Sequence, residues 1–218
     1  MKLTLIAATL LLAFSAAGAQ PPLPQLRVEP TAGGSIFYVK NVTSQPLTAF
    51  IIELVDYPGS FYALVQDEIT SEPIAPDKEK RIPINNMTVG AVPDYVKVRA
   101  AIYADGSTAG LPDRVTLLTG RRVFSLTTVQ DLIRRTELAQ TQNASKDVAA
   151  AALRRSAEFM VLAPGSDKMS QASINQAAGR QLFTDTAEYL DKHSIDETLT
   201  KLHEWEKALT NSKPTIQR

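Results

Sequence analysis

The hydrophobic periodicity of this 218-residue chain changes near Gly110, and that change constrains the fold more than any other feature. Before Gly110, apolar residues tend to alternate with polar ones, as in a β-strand with one buried face. After it they recur every three or four residues, as in an amphipathic helix. The sequence therefore predicts an α+β protein in which the strands come first and the helices follow.

Four segments of the first half are rich in β-branched and aromatic residues and are bounded by Gly, Pro, Asn or Asp. They are Gly33–Val42, Pro46–Tyr57, Lys80–Ile84 and Tyr95–Asp105. Short strands at this spacing predict an immunoglobulin-like β-sandwich over residues 33–110, with an α+β sheet as the alternative. In the last segment, alternation of apolar residues with charged ones predicts one buried face and one solvent-facing face.

The second half, residues 111–218, predicts an α-helical region of about four amphipathic helices. The first begins near Pro112, which suits the first turn of a helix. The second begins at Ser145, the third carries Ile174, and Ser194–Glu197 is a capping box for the fourth. Because amphipathic helices must bury their apolar faces, we expect them to pack on each other or on the strands.

The first 32 residues are predicted to lie outside these two regions. A positive residue, an apolar run from Leu3 to Phe14 and the small residues Ala17–Ala19 match a secretory signal peptide at residues 1–19. The run is shorter than the roughly 20 residues that span a bilayer, so we expect cleavage, with a short anchor as the alternative. Residues 20–32 form a proline-rich leader that we expect to be extended.

Cysteine usage and charge narrow the compartment and the partners. The chain has no cysteine, which excludes a lipid-modified bacterial lipoprotein and fits a bacterial periplasm or envelope. Its formal net charge of +0 gives no electrostatic reason to expect nucleic acid as a partner. No stretch after the signal peptide is long and apolar enough to predict an integral membrane segment.

No catalytic or metal-binding pattern stands out in the sequence. The two histidines, His193 and His203, lack zincin spacing, because Lys207 stands where a second histidine is required. There is no cysteine nucleophile and no Gly-x-Ser-x-Gly elbow. We therefore predict no metal, no cofactor and no catalytic residue. The alternative is an enzyme with a carboxylate-based site between the two regions.

Asp105 and Gly106 open a polar loop that could bind an ion or simply turn the chain. A phosphate loop requires a longer glycine spacing that ends in Gly-Lys-Ser/Thr, and a calcium loop requires several carboxylates. Neither pattern is present, whereas Asp-Gly is a strong turn dipeptide. We predict that these two residues have a structural role in a turn between strand and helix.

Arginines mark the first predicted helix. Arg122 falls inside its apolar stripe, so we predict that it is partly buried and pairs with a carboxylate of the strand region; extension to solvent is the alternative. Arg114, Arg121 and Arg135 lie at multiples of seven residues. They could form an anion-binding patch, but such a row is more often a solvated face, which is the interpretation we favour.

Two stretches resemble secreted bacterial proteins. "FYVKNVTSQPLTAFIIEL", followed by "EPIAPDKEKRIPI" and a hydrophobic strand, resembles immunoglobulin-like domains of the adhesion-associated, CARDB-like kind over Arg27–Tyr103. Those domains carry an Asn-turn-Pro hairpin and a later Pro-Gly bend, and here Asp77 stands where glycine is commoner. "AAIYADGSTAG", leading into a helix with paired arginines, resembles secreted proteins of soil bacteria. The resemblance implies a binding or structural module and no catalytic residue.

These observations predict a secreted, non-enzymatic envelope protein that acts as a protein-binding or structural module, with an unknown protein partner in the cell envelope. Besides the enzyme, a periplasmic chaperone-like protein that donates a strand to its clients is an alternative. A deep pocket with several perturbed polar groups would favour the enzyme. An exposed apolar patch would favour partner binding.

Overall fold

A computed structural model describes residues 20–56, 61–85, 95–161 and 169–212. The strands are β1 (Gln25–Thr31), β2 (Gly34–Lys40), β3 (Leu47–Leu54), β4 (Ala63–Asp67), β5 (Glu79–Asn85), β6 (Val96–Tyr103) and β7 (Thr108–Gly110). The helices are α1 (Pro112–Thr141), α2 (Lys146–Glu158), α3 (Gln171–Lys192) and α4 (Ile195–Asn211). The strands precede the helices, as the change of period predicts. The predicted signal peptide lies outside the described residues.

The seven strands form two antiparallel sheets. Sheet 1 has the order β1-β2-β5, and sheet 2 has the order β4-β3-β6-β7. Both sheets contribute to one hydrophobic core, in which Phe37 and Val39 of sheet 1 meet Phe50 and Ile52 of sheet 2. The inner faces therefore pack against each other, as in other two-layered β proteins.

The proline-rich leader is shorter than the sequence predicted. Gln25–Thr31 forms β1, which pairs with β2 along its whole length. Leu26 and Val28 pack against the core between the sheets, while Arg27 and Glu29 form an ion pair with each other. The strand region thus begins at residue 25 rather than 33, because the surrounding prolines obscured a short period-two pattern.

The prediction that the strand in Tyr95–Asp105 has one buried and one solvent-facing face is wrong for β6. Its pairing with β3 shifts at Arg99, which has no opposite residue and forms a β-bulge. The bulge reverses which residues face the core between the sheets. Ala100 and Ile102 then lie on the other face, where both are fully buried.

Helices cover that outer face of sheet 2. A small core there combines residues of β3, β6, α1 and α3, namely Ala49, Ile51, Ala100, Ile102, Leu118 and Ile174. A larger core lies among the four helices and includes Leu132, Phe183, Leu190, Leu202 and Trp205. The molecule therefore has three layers, and sheet 2 is the middle one. In the part of the chain that is described, no helix is both long and apolar enough to cross a membrane.

Local sequence signals set the boundaries of the helices. Gly110 adopts φ 100°, and a Cβ atom there would lie 2.2 Å from the carbonyl oxygen of Arg99, so this position requires glycine. The chain then leaves β7, and Pro112 begins α1. At α4, Ser194 and Glu197 form the reciprocal capping box that the sequence predicts.

Candidate functional site

Asp105 and Gly106 lie in the turn of the β6–β7 hairpin. The carboxylate of Asp105 accepts hydrogen bonds from the backbone nitrogen of Ser107 at 2.9 Å and from its hydroxyl at 2.6 Å. Gly106 adopts φ 83°, in the left-handed region that favours glycine. The turn thus joins two strands, not a strand and a helix as predicted, and its carboxylate is occupied within the turn itself.

Arg122 lies at the junction of α1 with sheet 2 and is 2% exposed. Its Nε and Nη2 donate to the two carboxylate oxygens of Asp67 at 3.1 and 3.2 Å. Nη2 also donates to Oγ1 of Thr48 at 2.6 Å, and Nη1 donates to the carbonyl oxygen of Ser212 at 3.1 Å. One guanidinium therefore joins β3, β4 and the end of α4 to α1. The sequence predicted a carboxylate partner in the strand region but did not identify Asp67.

The three arginines of the predicted row, Arg114, Arg121 and Arg135, do not share a solvated face. Arg114 donates from Nε to Glu53 at 2.7 Å, and Arg121 donates to the carbonyl oxygen of Val65 at 3.1 Å. Burial lowers the pKa of the Arg121 guanidinium. Both side chains contact sheet 2, whereas Arg135 lies in a separate groove among the helices. The prediction of a solvated row is therefore wrong, because the sheet packs against the first turns of α1.

Three buried carboxylates, on β3 and at the end of β4, are paired with cations. Asp67 pairs with Arg122, Glu53 pairs with Arg114, and an oxygen of Glu68 lies 2.5 Å from Nζ of Lys80. Each of the three carboxylate side chains is at most 6% exposed. Within the described ranges, no cluster of three or more Asp, Glu, His or Cys residues could hold a metal ion. These charges join the layers of the protein.

A groove of about 480 Å³ lies among α1, the end of α2 and α3. We call it the helical groove; its lining residues are Thr127, Thr128, Asp131, Arg134, Arg135, Ser156, Phe159, Met160 and Phe183. Most of its exposed lining is apolar. Phe183 is buried beneath it, whereas Phe159 is 87% exposed. Phe159 therefore adds a solvent-exposed aromatic surface to the mainly apolar lining of the groove.

Three charged residues line the helical groove. Asp131 accepts hydrogen bonds from Nε of Arg135 at 2.7 Å and from Nη2 of Arg134 at 3.2 Å. Partial burial raises the pKa of Asp131, but the bonds from Arg135 and Arg134 outweigh burial and hold this pKa below its usual value. The guanidinium of Arg135 also lies 5.5 Å from the centre of the Phe183 ring. At neutral pH the lining therefore has two positive charges and one negative.

Sequence reasoning missed the helical groove because three separate helices form it. One local signal was available. The buried residues of α2 include Ala149, Leu153 and Ala157, which recur every four residues. Phe159 directly follows α2 as its C-cap and keeps an αR backbone, so at 100° per residue it lies about 200° around the helix axis from Ala157 and falls off that stripe. An aromatic residue at the end of an amphipathic helix, away from its apolar stripe, is therefore the signal that points to this surface.

Comparison of the chain with protein-family models, with curated proteins and with solved structures finds no match. The resemblance to CARDB-like domains therefore stays a prediction. Two structural features of the protein bear on its function: the helical groove and the buried junction at Arg122, where α1 meets sheet 2.

Proposed function

We propose that this is a secreted, non-enzymatic protein of the bacterial cell envelope that binds another protein through the helical groove. The observation that carries the proposal is the 87% exposure of Phe159 beside a groove with a mainly apolar lining. Full burial of a phenylalanine side chain is worth about 1.5–3 kcal/mol. A partner that covers Phe159 gains this energy, and a few buried aromatic residues commonly dominate a protein interface.

The chemistry of the groove favours binding over catalysis. Two titratable groups whose pKa values are pushed apart by their environments are the usual mark of acid–base catalysis. The groove has one carboxylate, Asp131, which forms ion pairs with Arg134 and Arg135. Met160 adds a flexible, polarisable side chain to the lining, and such side chains adapt to the shape of a partner.

The three buried carboxylates on β3 and at the end of β4 are also less suited to catalysis. Asp67, for example, accepts two hydrogen bonds from Arg122 and a third from the backbone nitrogen of Ile69 at 3.2 Å. A substrate would have to displace a buried cation to reach this group. The arrangement supports a structural role for the junction and leaves the helical groove as the favoured contact surface.

An immunoglobulin-like module is the proposed scaffold for this surface. The first, second and fifth strands form one sheet, and the third, sixth and seventh lie in the other, a division that immunoglobulin domains share and that supports this proposal. The fourth strand differs, because it pairs with β3 rather than with the sheet of β5. Buried Asn41 donates to the carbonyl oxygens of Gln45 and Ile74, both at 2.8 Å, and so holds the turn after β2. Asp77 adopts φ 59°, a conformation in which glycine is commoner. Both details support the resemblance to CARDB-like domains.

Location in the envelope is proposed from the amino-terminal sequence. Residues 1–19 combine a positive residue, a short apolar run and a small-residue cleavage pattern. A chain without cysteine is also compatible with an oxidising compartment, because it has no thiol to mispair. Export would bring the helical groove into contact with other envelope proteins.

Site-specific photo-cross-linking tests the proposed function. With a photoreactive phenylalanine analogue at Phe159, we expect one reproducible protein adduct in envelope fractions of the cells of origin. Val148 is the matched control, because it lies on α2, is 60% exposed and does not line the groove. Excess unlabelled protein should abolish the adduct, whereas an excess of the Phe159→Asp variant should not. Identical adducts at both positions, or none at position 159, would contradict the proposal.

A further inference from the structure

We infer that the partner segment that enters the helical groove carries an acidic group close to an apolar side chain. This inference rests on the proposed function, because it names the chemistry of the same partner. The groove is lined by Arg134 and Arg135 but by a single carboxylate, that of Asp131. The apolar lining selects an apolar side chain, and the uncompensated positive charge selects a carboxylate beside it.

Arg135 and Arg134 differ in how many contacts fix the side chain. Arg135 donates to Asp131 at 2.7 Å and also lies over the ring of Phe183, so two contacts fix its position. Arg134 is 70% exposed and reaches Asp131 through one longer bond of 3.2 Å. A guanidinium has five N–H donors, and a carboxylate can accept two of them side by side. Arg134 is therefore the residue that we assign to the acidic group of the partner.

Arg134 and Phe159 lie so that one partner segment can supply both the acidic group and the apolar side chain. Both side chains line the same groove of about 480 Å³, so one short segment can reach both of them. An aspartate, a glutamate or a terminal carboxylate would supply the acidic group. A lysine or arginine at that place would meet two like charges, and repulsion of this kind excludes wrong partners.

Two synthetic peptides test the inference against the mature protein. Both are acetylated and amidated, and they have the sequences Gly-Asp-Phe-Leu-Asp-Gly and Gly-Lys-Phe-Leu-Lys-Gly. In a titration followed by ¹⁵N–¹H spectra, we expect the acidic peptide to shift the amide signals of Thr127 and Phe159 saturably. It should bind at least about fivefold more tightly than the lysine peptide, as expected for attraction and repulsion at partly exposed charges.

Charge reversal at Arg134 gives the decisive comparison. Arg134→Glu should remove the preference for the acidic peptide, while Arg81→Glu should leave it intact. Arg81 lies on β5 of sheet 1, outside the groove, and its replacement makes the same change in net charge. Added salt should weaken the preference of the native protein and should have less effect on Arg134→Glu.

Three results would overturn the inference: equal or tighter binding of the lysine peptide, no saturable shift at millimolar acidic peptide, or an unchanged preference in Arg134→Glu. The two proposals can fail separately. A protein adduct at position 159 together with a preference for the lysine peptide refutes the acidic requirement alone. Absence of any adduct at position 159 refutes the proposed function.

Discussion

Replacing Arg122 with methionine should lower the free energy of unfolding by roughly 3–5 kcal/mol, the usual cost of breaking a buried ion pair on one side. The reason is that the substitution leaves the carboxylate of Asp67, which is 4% exposed, without its cation. Thr48 and the carbonyl oxygen of Ser212 each lose a donor as well. Because methionine fills much of the space of arginine, the missing charge and hydrogen bonds, rather than a cavity, cause most of the loss.

Urea unfolding measures this loss with two probes. Trp205 is the one tryptophan of the chain and belongs to the core among the helices, so its fluorescence reports on that layer. Circular dichroism reports on the strands and helices together. Arg134→Met is the matched control, because its side chain is 70% exposed, and it should change the stability by less than about 0.5 kcal/mol.

A double substitution separates the ion pair from simple packing. Asp67→Leu in the Arg122→Met background should recover much of the lost stability, because it removes the unpaired buried charge. An unfolding midpoint of Arg122→Met that equals that of the native protein would refute the reasoning. A double variant that is less stable than Arg122→Met would also refute it, since packing and not charge would then dominate.

Three further predictions concern the amino terminus, the turn and one half-buried carboxylate. Intact-mass measurement of the exported protein should show that it begins at Gln20, and a soluble product that retains residues 1–19 would contradict this. Asp105→Ala should cost about 0.5–2 kcal/mol through loss of its backbone hydrogen bond, and calorimetry of the native protein with calcium or phosphate should show no saturable heat. Burial raises the pKa of Asp185, and Glu188 adds to this against the opposing bond from Gln181. The ionised form is thus disfavoured in the folded protein, so Asp185→Asn should raise the unfolding midpoint at pH 7. This gain should fade below about pH 4, where the carboxyl is protonated in both the folded and the unfolded chain. An equal gain at pH 7 and below about pH 4 would contradict the prediction.

The order of strands and helices could be predicted because each depends on local periodicity. The capping box at Ser194 is likewise local, since its two partners are three residues apart. β1, β4 and β7 were missed for physical reasons. In β1 the flanking prolines mask a short alternation, while β4 has five residues and β7 has three, too few to establish a period. The bulge at Arg99 arises from pairing with β3 and has no signature in the strand itself.

The junction and the groove differ in how far they could be read from the sequence. Arg122 could be singled out because a charged residue interrupts an apolar stripe. Its partner Asp67 is 55 positions away, and only the packing of α1 on sheet 2 brings the two together. The helical groove requires three helices to converge, so its members share no local pattern. Phe159 is the exception, since its position after α2 and off the apolar stripe of that helix is visible in the sequence.

The affinity of the cross-linked partner tests the central claim, which is that this protein binds another protein through Phe159. Calorimetry with the purified partner should show at least about tenfold weaker binding for Phe159→Ala, equivalent to about 1.4 kcal/mol, as expected for a dominant aromatic contact. Val148→Ala, which changes a 60% exposed residue of α2 outside the groove, should alter the dissociation constant by less than about twofold, as expected for a residue outside the interface. Equal dissociation constants for the native protein and Phe159→Ala would contradict the claim.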